Sequence, residues 1–98
     1  MRTDIYVWRG ITFEVAHGVA PKNRFLYRFT IDNVSPAKAH LPLESPRYGC
    51  HYVGKTELDL FPDFRAYLFA RLQRDLTPAL LKRNAQCVER ARQGLFDL

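Results

Sequence analysis

The sequence predicts an α+β fold in which an N-terminal antiparallel sheet of two to three strands is followed by two C-terminal helices packed on one face. Residues 4–17 and 24–32 are rich in β-branched and aromatic side chains, whereas residues 61–94 carry apolar side chains at spacings of three and four. With 98 residues, of which 47% are apolar, the chain is predicted to form a single domain, 1–98, with one modest core.

Residues 4–17 predict strand structure but leave two arrangements open. One long strand would gather five apolar residues on one face and leave Arg9 among them. Those five residues are Ile5, Val7, Ile11, Phe13 and Val15. A tight turn at Arg9 and Gly10 would instead bring Tyr6 and Trp8 across a hairpin to Ile11 and Phe13. Because Arg-Gly is a weaker hairpin signal than Asn-Gly, we favour one long strand bent at Gly10.

Residues 24–32 contain the clearest strand pattern of the chain. Its alternate residues are predicted to point inward, and they are Phe25, Tyr27, Phe29 and Ile31. The short turn at 18–23 predicts antiparallel pairing with the preceding strand. Residues 33–49, with three prolines, predict a long loop that is a candidate contact surface. A short third strand is predicted at 49–53.

The helical half is predicted from its apolar spacing and its caps. The first helix has its apolar stripe at Phe61, Phe64, Leu68, Leu72 and Leu76. Thr77 is predicted to cap the second helix, with Pro78 at its first position and Gly94 at its end. The inner stripe of that helix is predicted to be Leu81, Ala85, Val88 and Ala91, flanked by Leu80 and Cys87.

Positive charge is concentrated in the predicted helices. The chain has a net charge of +5, and residues 65–92 alone contain seven basic and two acidic side chains. The predicted basic helical face consists of Tyr67, Arg71, Arg74, Lys82, Arg83 and Arg90. Such a face can contact phosphates, and an aromatic ring can add stacking. The predicted partner is therefore nucleic acid or an acidic protein surface, and the alternative is an ordinary solvated helix surface.

Aromatic residues of the first strand give a second hypothesis. If the long-strand register holds, Tyr6 and Trp8 point outward and, with Arg28, can bind a protein partner. The protein would then be a modulator or inhibitor of a nucleic-acid-handling complex, and an uncovered sheet face would leave room for a homodimer. In the hairpin register Trp8 is buried and this hypothesis loses its support. Lys22 and Arg24, with Arg28, could also make the sheet itself a binding surface.

Catalytic and metal-binding patterns are weak in this sequence. His17, His40, His51, Cys50 and Cys87 lack any recognised zinc spacing, so we expect no metal or cofactor. The histidines could form a small metal-independent ribonuclease if the loop brings them together over the sheet. No glycine-rich phosphate loop, nucleophile elbow or paired-carboxylate motif is present. We therefore expect a binding protein rather than an enzyme, with no catalytic residue assigned.

Hydropathy and the N-terminus predict the compartment. The apolar runs are only a few residues long, far from the ~20 needed to cross a bilayer, and residues 1–4 lack a secretory apolar region. A cytoplasmic protein with no membrane partner and with free thiols is expected.

Overall fold

The computed structural model describes residues 2–43 and 50–94. The elements in chain order are β1 (Arg2–Trp8), β2 (Ile11–Ala20), β3 (Asn23–Ser35), β4 (His51–Gly54), α1 (Lys55–Leu58), α2 (Phe64–Asp75) and α3 (Pro78–Gly94). The strands form one antiparallel sheet in the order β1-β2-β3-β4. The predicted α+β fold is confirmed, with four strands in place of two to three and an added single-turn helix. Among the described residues, no helix is long and apolar enough to span a bilayer.

A two-residue turn at Arg9 and Gly10 joins β1 to β2, so the single long strand that we favoured is wrong. Both turn residues have positive φ angles, 51° and 80°, as a tight hairpin turn requires. Trp8 lies opposite Ile11 in the resulting register. The hairpin therefore buries Trp8 in the core, where the side chain is 6% exposed.

The same turn is a docking point for α3. A Cβ atom at Gly10 would lie 3.0 Å from Cγ1 of Val88, which is tighter than most Cβ contacts, so the Val88 side chain would have to shift to admit it. Val88 is partly buried against the core. Glycine at this position thus serves both the turn conformation and the contact with α3.

β3 pairs antiparallel with β2, as predicted. The predicted inward side chains Phe29 and Ile31 are buried and Tyr27 is half-buried. Phe25, however, is 74% exposed, which corrects the prediction. This residue falls within the register shift that follows Val19, where three residues of β3 have no partner on β2.

Part of the predicted contact loop packs inward instead of forming a surface. β3 continues to Ser35, and the following segment buries Ala39, Leu41 and Pro42. The rest of the predicted loop, residues 44–49, lies outside the described residues, as does the predicted start of the third strand. The short strand itself is present as β4.

α2 covers one face of the sheet. Asp63 caps the helix, since its carboxylate accepts a hydrogen bond from the Ala66 amide at 2.8 Å. The helix therefore begins at Phe64, and Phe61 of the predicted stripe lies before it. The predicted apolar stripe is confirmed by the burial of Leu68 and Leu72. These α2 side chains share a core with the sheet residues Trp8, Ile11, Phe13, Val15, Phe29, Ile31 and Val53.

α3 begins as predicted but presents a different side to the core. The hydroxyl of Thr77 accepts a hydrogen bond from the Leu80 amide at 3.2 Å, and Pro78 is the first helical residue. In the predicted inner stripe only Val88 is half-buried, while Leu81, Ala85 and Ala91 are exposed.

The buried residue of α3 is polar. Asn84 is 5% exposed, and its side chain exchanges two hydrogen bonds with the backbone of His40. Its Nδ2 donates to the His40 carbonyl at 2.6 Å, and its Oδ1 accepts from the His40 amide at 3.0 Å. Our prediction missed it because an apolar pattern gives asparagine no weight.

Candidate nucleic-acid interface

The outer side of α3 carries the exposed basic residues of the predicted helical face. Lys82, Arg83 and Arg90 are exposed, and we call these three residues the α3 cationic surface. Within the described part of the chain, none of them takes part in an ion pair. Glu89 is the only acidic residue of the helix. The positive charge of this surface is therefore available to a partner.

The α2 part of the predicted basic face does not join it. Tyr67 is 5% exposed and belongs to the core. Arg71 is half-buried, donates to the Tyr67 hydroxyl at 3.3 Å, and places its guanidinium 5.7 Å from the centre of the Phe29 ring. The reason is helical geometry, because positions 67 and 71 lie three and seven residues after the buried Phe64 and share its side of the helix. Arg74 is exposed, but it pairs with Asp75 at 3.2 Å.

The predicted protein-partner residues Tyr6, Trp8 and Arg28 do not form one surface. Trp8 is buried, and Tyr6 is half-buried with its ring edge-on to Phe13 and Phe69. Arg28 lies on the opposite face of the sheet, between the covered positions Tyr27 and Phe29. The exposure of Trp8 on which that hypothesis depended is absent.

A hydrogen-bonded chain of titratable side chains crosses β1, β2 and β3, and our sequence analysis did not predict it. His17 Nε2 lies 2.7 Å from the Asp4 carboxylate, and His17 Nδ1 lies 2.5 Å from the Tyr27 hydroxyl. The hydrogen bond from His17, followed by the effect of Arg2, lowers the pKa of Asp4. Burial raises the pKa of Tyr27. The Asp4 carboxylate can accept a hydrogen bond from His17 Nε2, and the Tyr27 hydroxyl can donate one to His17 Nδ1.

The hydrogen bonds among Asp4, His17 and Tyr27 link β1, β2 and β3 to one another. Both ring nitrogens of His17 are engaged, and Phe64 stacks on the ring at a centroid distance of 4.3 Å. The adjoining cavity, bordered by Arg2, Asp4 and Arg65, has a volume of about 220 Å³. That volume lies below the ~300 Å³ at which ligand pockets usually begin. The three side chains therefore join three strands across the covered face.

The three histidines lie apart in the described structure, so the convergence that a ribonuclease built on them would need is not seen among these residues. His17 and His51 lie on either side of Phe29 in the strand register, whereas His40 lies in the segment held by Asn84. His51 is 9% exposed and stacks on the Phe29 ring, and its Nε2 has no hydrogen-bond partner among the described residues. Burial, followed by the nearby Arg71, lowers the pKa of His51.

The potential metal ligands are similarly dispersed. Among residues 2–43 and 50–94, no group of three or more histidine, cysteine, aspartate or glutamate side chains could hold a metal ion. Cys50 and Cys87 are free thiols, as expected.

Similarity to other proteins gives no further assignment. No protein-family model matches the chain, and no curated protein or solved structure is significantly similar to it. Function must therefore be argued from the side chains of this chain and their positions.

Proposed function

We propose that this chain is a non-catalytic nucleic-acid-binding protein that contacts phosphates through the α3 cationic surface. The exposure of Lys82, Arg83 and Arg90, without ion pairs to described residues, is the observation that supports the proposal. Each contact between such a cation and a phosphate releases condensed counterions. Exposed unpaired cations therefore favour binding to a polyanion.

The shape of α3 also supports the proposal. The helix has 17 residues and is about 25 Å long, and its contacts with the body are confined to one side, where Asn84 and Val88 lie. Lys82 and Arg90 are two turns apart, about 12 Å, on the opposite side. A line of cations on the exposed side of a helix can follow a phosphate backbone.

Two amide side chains lie along the same exposed side. Gln86 and Gln93 are exposed at i+4 and i+11 from Lys82, close to the line of the cations. Amide groups donate hydrogen bonds to phosphate oxygens and can contact base edges. The outer side is thus made of cations and amides with one carboxylate, Glu89, and a mainly polar surface of this kind fits a nucleic acid better than an apolar protein groove.

The test compares two triple variants that remove the same charge. The surface variant is Lys82→Gln, Arg83→Gln, Arg90→Gln, and the matched control replaces Lys38, Lys55 and Arg74, which are also exposed, with glutamine. Binding to labelled duplex DNA, single-stranded DNA and RNA is measured from low to near-physiological salt. We expect the surface variant to bind at least tenfold more weakly than the parent chain. The slope of log affinity against log salt concentration should be smaller in magnitude by about two to three.

The outcomes separate specific from general electrostatic binding. Equal losses in the two triple variants would show that only net charge matters, and unchanged binding by the surface variant would contradict the proposal. Poly-glutamate serves as a second anion, because binding to it as tight as to nucleic acid would indicate an acidic protein partner instead. Far-UV circular dichroism confirms that both variants remain folded.

A further inference from the structure

A cavity of about 450 Å³ lies at the turn between β2 and β3, and we call it the turn cavity. Pro21, Lys22, Leu26, Arg28 and Tyr52 contribute to its walls. Its volume falls within the ~300–1,000 Å³ range of small-molecule sites. α3 docks at the Arg9–Gly10 turn, at the other end of the ten-residue β2, about 30 Å away along the strand. The turn cavity is thus separate from the α3 cationic surface.

One wall of the turn cavity is an aromatic ring with an open face. Tyr52 is 54% exposed, and no aromatic ring or cation of the described residues packs on it. Its strand position puts it on the sheet face that α2 leaves uncovered, directly opposite Arg28 on β3. The side chain of Cys50 hydrogen-bonds the Tyr52 hydroxyl and raises its pKa, so the ring stays an uncharged phenol. Such a ring can stack on a planar ligand.

The charged wall of the turn cavity is positive. Arg28 is half-buried, and its Nε atom is shielded from solvent with no hydrogen-bond partner in the described part of the chain. Lys22 is exposed in the turn. No carboxylate contributes to the cavity wall in the described residues. The Asn23 side chain accepts a hydrogen bond from the Phe25 amide at 2.9 Å, which stabilises the turn that carries Lys22. Two cations beside an open aromatic ring favour a ligand that is both planar and anionic.

We propose that the turn cavity binds one unstacked nucleotide, with its base against the Tyr52 ring and its phosphate against Arg28 and Lys22. Base stacking on aromatic rings beside a positive groove is the usual means of binding single strands. The inference extends the proposed function, because α3 supplies phosphate contacts but no ring for a base. It also predicts that the protein binds single-stranded nucleic acid more tightly than duplex, because a base in a duplex must first be unpaired and unstacked, which costs free energy.

The first experiment adds adenosine 5′-monophosphate as the probe to the intact chain and monitors binding through the amide chemical shifts of the protein. We expect shift changes at residues 20–28 and 52, and much weaker changes with inorganic phosphate at the same concentration. The α3 triple variant should bind adenosine 5′-monophosphate like the parent chain, which keeps this test independent of the proposed function. Shift changes confined to α3 would overturn the inference.

The second experiment measures the affinity of a single-stranded oligonucleotide for the parent chain and for two variants of Tyr52. Tyr52→Ala should weaken binding at least fivefold, while Tyr52→Phe, which keeps the ring, should bind like the parent chain. Arg28→Gln should weaken binding in the same assay. Weaker oligonucleotide binding by Tyr52→Ala would show that the turn cavity holds a nucleotide within a single strand. Chemical-shift changes with adenosine 5′-monophosphate, without weaker oligonucleotide binding, would show that it holds a free nucleotide. Absence of both effects would overturn the inference. A side chain as exposed as that of Tyr52 can be replaced without unfolding the chain.

Discussion

The two long helices have similar formal charges but opposite surroundings. α2 buries Phe64, Tyr67, Leu68 and Leu72 against the sheet, while α3 buries Asn84. Each basic residue of α2 also has a partner near it. These partners are the Phe69 ring for Arg65, the Tyr67 hydroxyl for Arg71 and the Asp75 carboxylate for Arg74. The same kinds of side chain on α3 have no ion-pair partner among described residues, so a count of basic residues overstates the charge that a partner can reach.

The difference comes from how each helix is attached. α2 lies on the covered face and is held by apolar burial along its length, which also draws its longer basic side chains onto neighbouring rings. α3 is held by the hydrogen bonds of Asn84 and by the contact of Val88 with the Gly10 turn. Its remaining sides stay in water, and this incomplete attachment makes it the candidate binding helix.

The largest expected effect is on folding stability and tests whether α2 is buried more deeply than α3. Leu72→Ala in α2 should lower the free energy of unfolding by about 2–5 kcal/mol, because the fully buried side chain leaves a cavity. Leu81→Ala in α3, where the side chain is 40% exposed, is the matched control and should cost less than about 1 kcal/mol. Urea unfolding measures both. Equal losses would mean that α3 is packed as tightly as α2.

An intermediate effect is expected where α3 is attached. Asn84→Ala removes both hydrogen bonds to the His40 backbone and should cost about 1–3 kcal/mol. Amide hydrogen exchange should quicken in α3 more than in α2, since the attachment of α3 is the part that is lost. Gln86→Ala, on the exposed side of the same helix, should leave exchange unchanged. Uniform acceleration in both helices would show that Asn84 supports the whole fold.

The smallest effect concerns the pH dependence of stability, to which His51 contributes where it lies buried near Arg71 of α2. The pKa of His51 is lowered from 6.5 by burial and then by Arg71, so below pH 6.5 the unfolded chain binds a proton that the folded chain resists. The His51 contribution to stability is therefore complete above pH 6.5 and declines as the pH falls towards the lowered folded pKa. In urea unfolding at pH 7.5 and pH 5.0, His51→Gln should reduce the loss of stability on acidification. Gln86→Ala, at an exposed residue without a titratable group, should keep the parent loss.

Local patterns predicted much of the fold. The alternation around Phe29, the Thr77-Pro78 cap and the spacing of Leu68 and Leu72 each involve residues close together in the chain, and each is confirmed. The hairpin was missed because Arg9 is an unusual residue for a positive φ angle, and its neighbour Gly10 fitted a bulge equally well. That single choice of register determined whether Trp8 would be core or surface.

The candidate nucleic-acid interface was predicted only in part, because it also depends on contacts between residues that are distant in the chain. The exposed cations of α3 follow from their distance from the apolar side of that helix. Tyr67 and Arg71 were placed on the wrong side, because an arginine near an aromatic ring can lie over the core edge with its charge still partly hydrated. The turn cavity requires that Arg28 and Tyr52 be neighbours on adjacent strands, which depends on pairing between residues 24 apart in the chain.

The sequence by itself determined the α+β class, the central strand pattern, the two amphipathic helices and the excess of positive charge near the C-terminus. Those properties depend on periodicity and composition, which are local. Only the tertiary structure decided which face buries Trp8, which cations lack an ion pair among the described residues, and that His17 hydrogen-bonds with Asp4 and Tyr27. Each of these depends on strand register and helix attachment, where the burial of distant side chains outweighs the weak preference of any single turn residue.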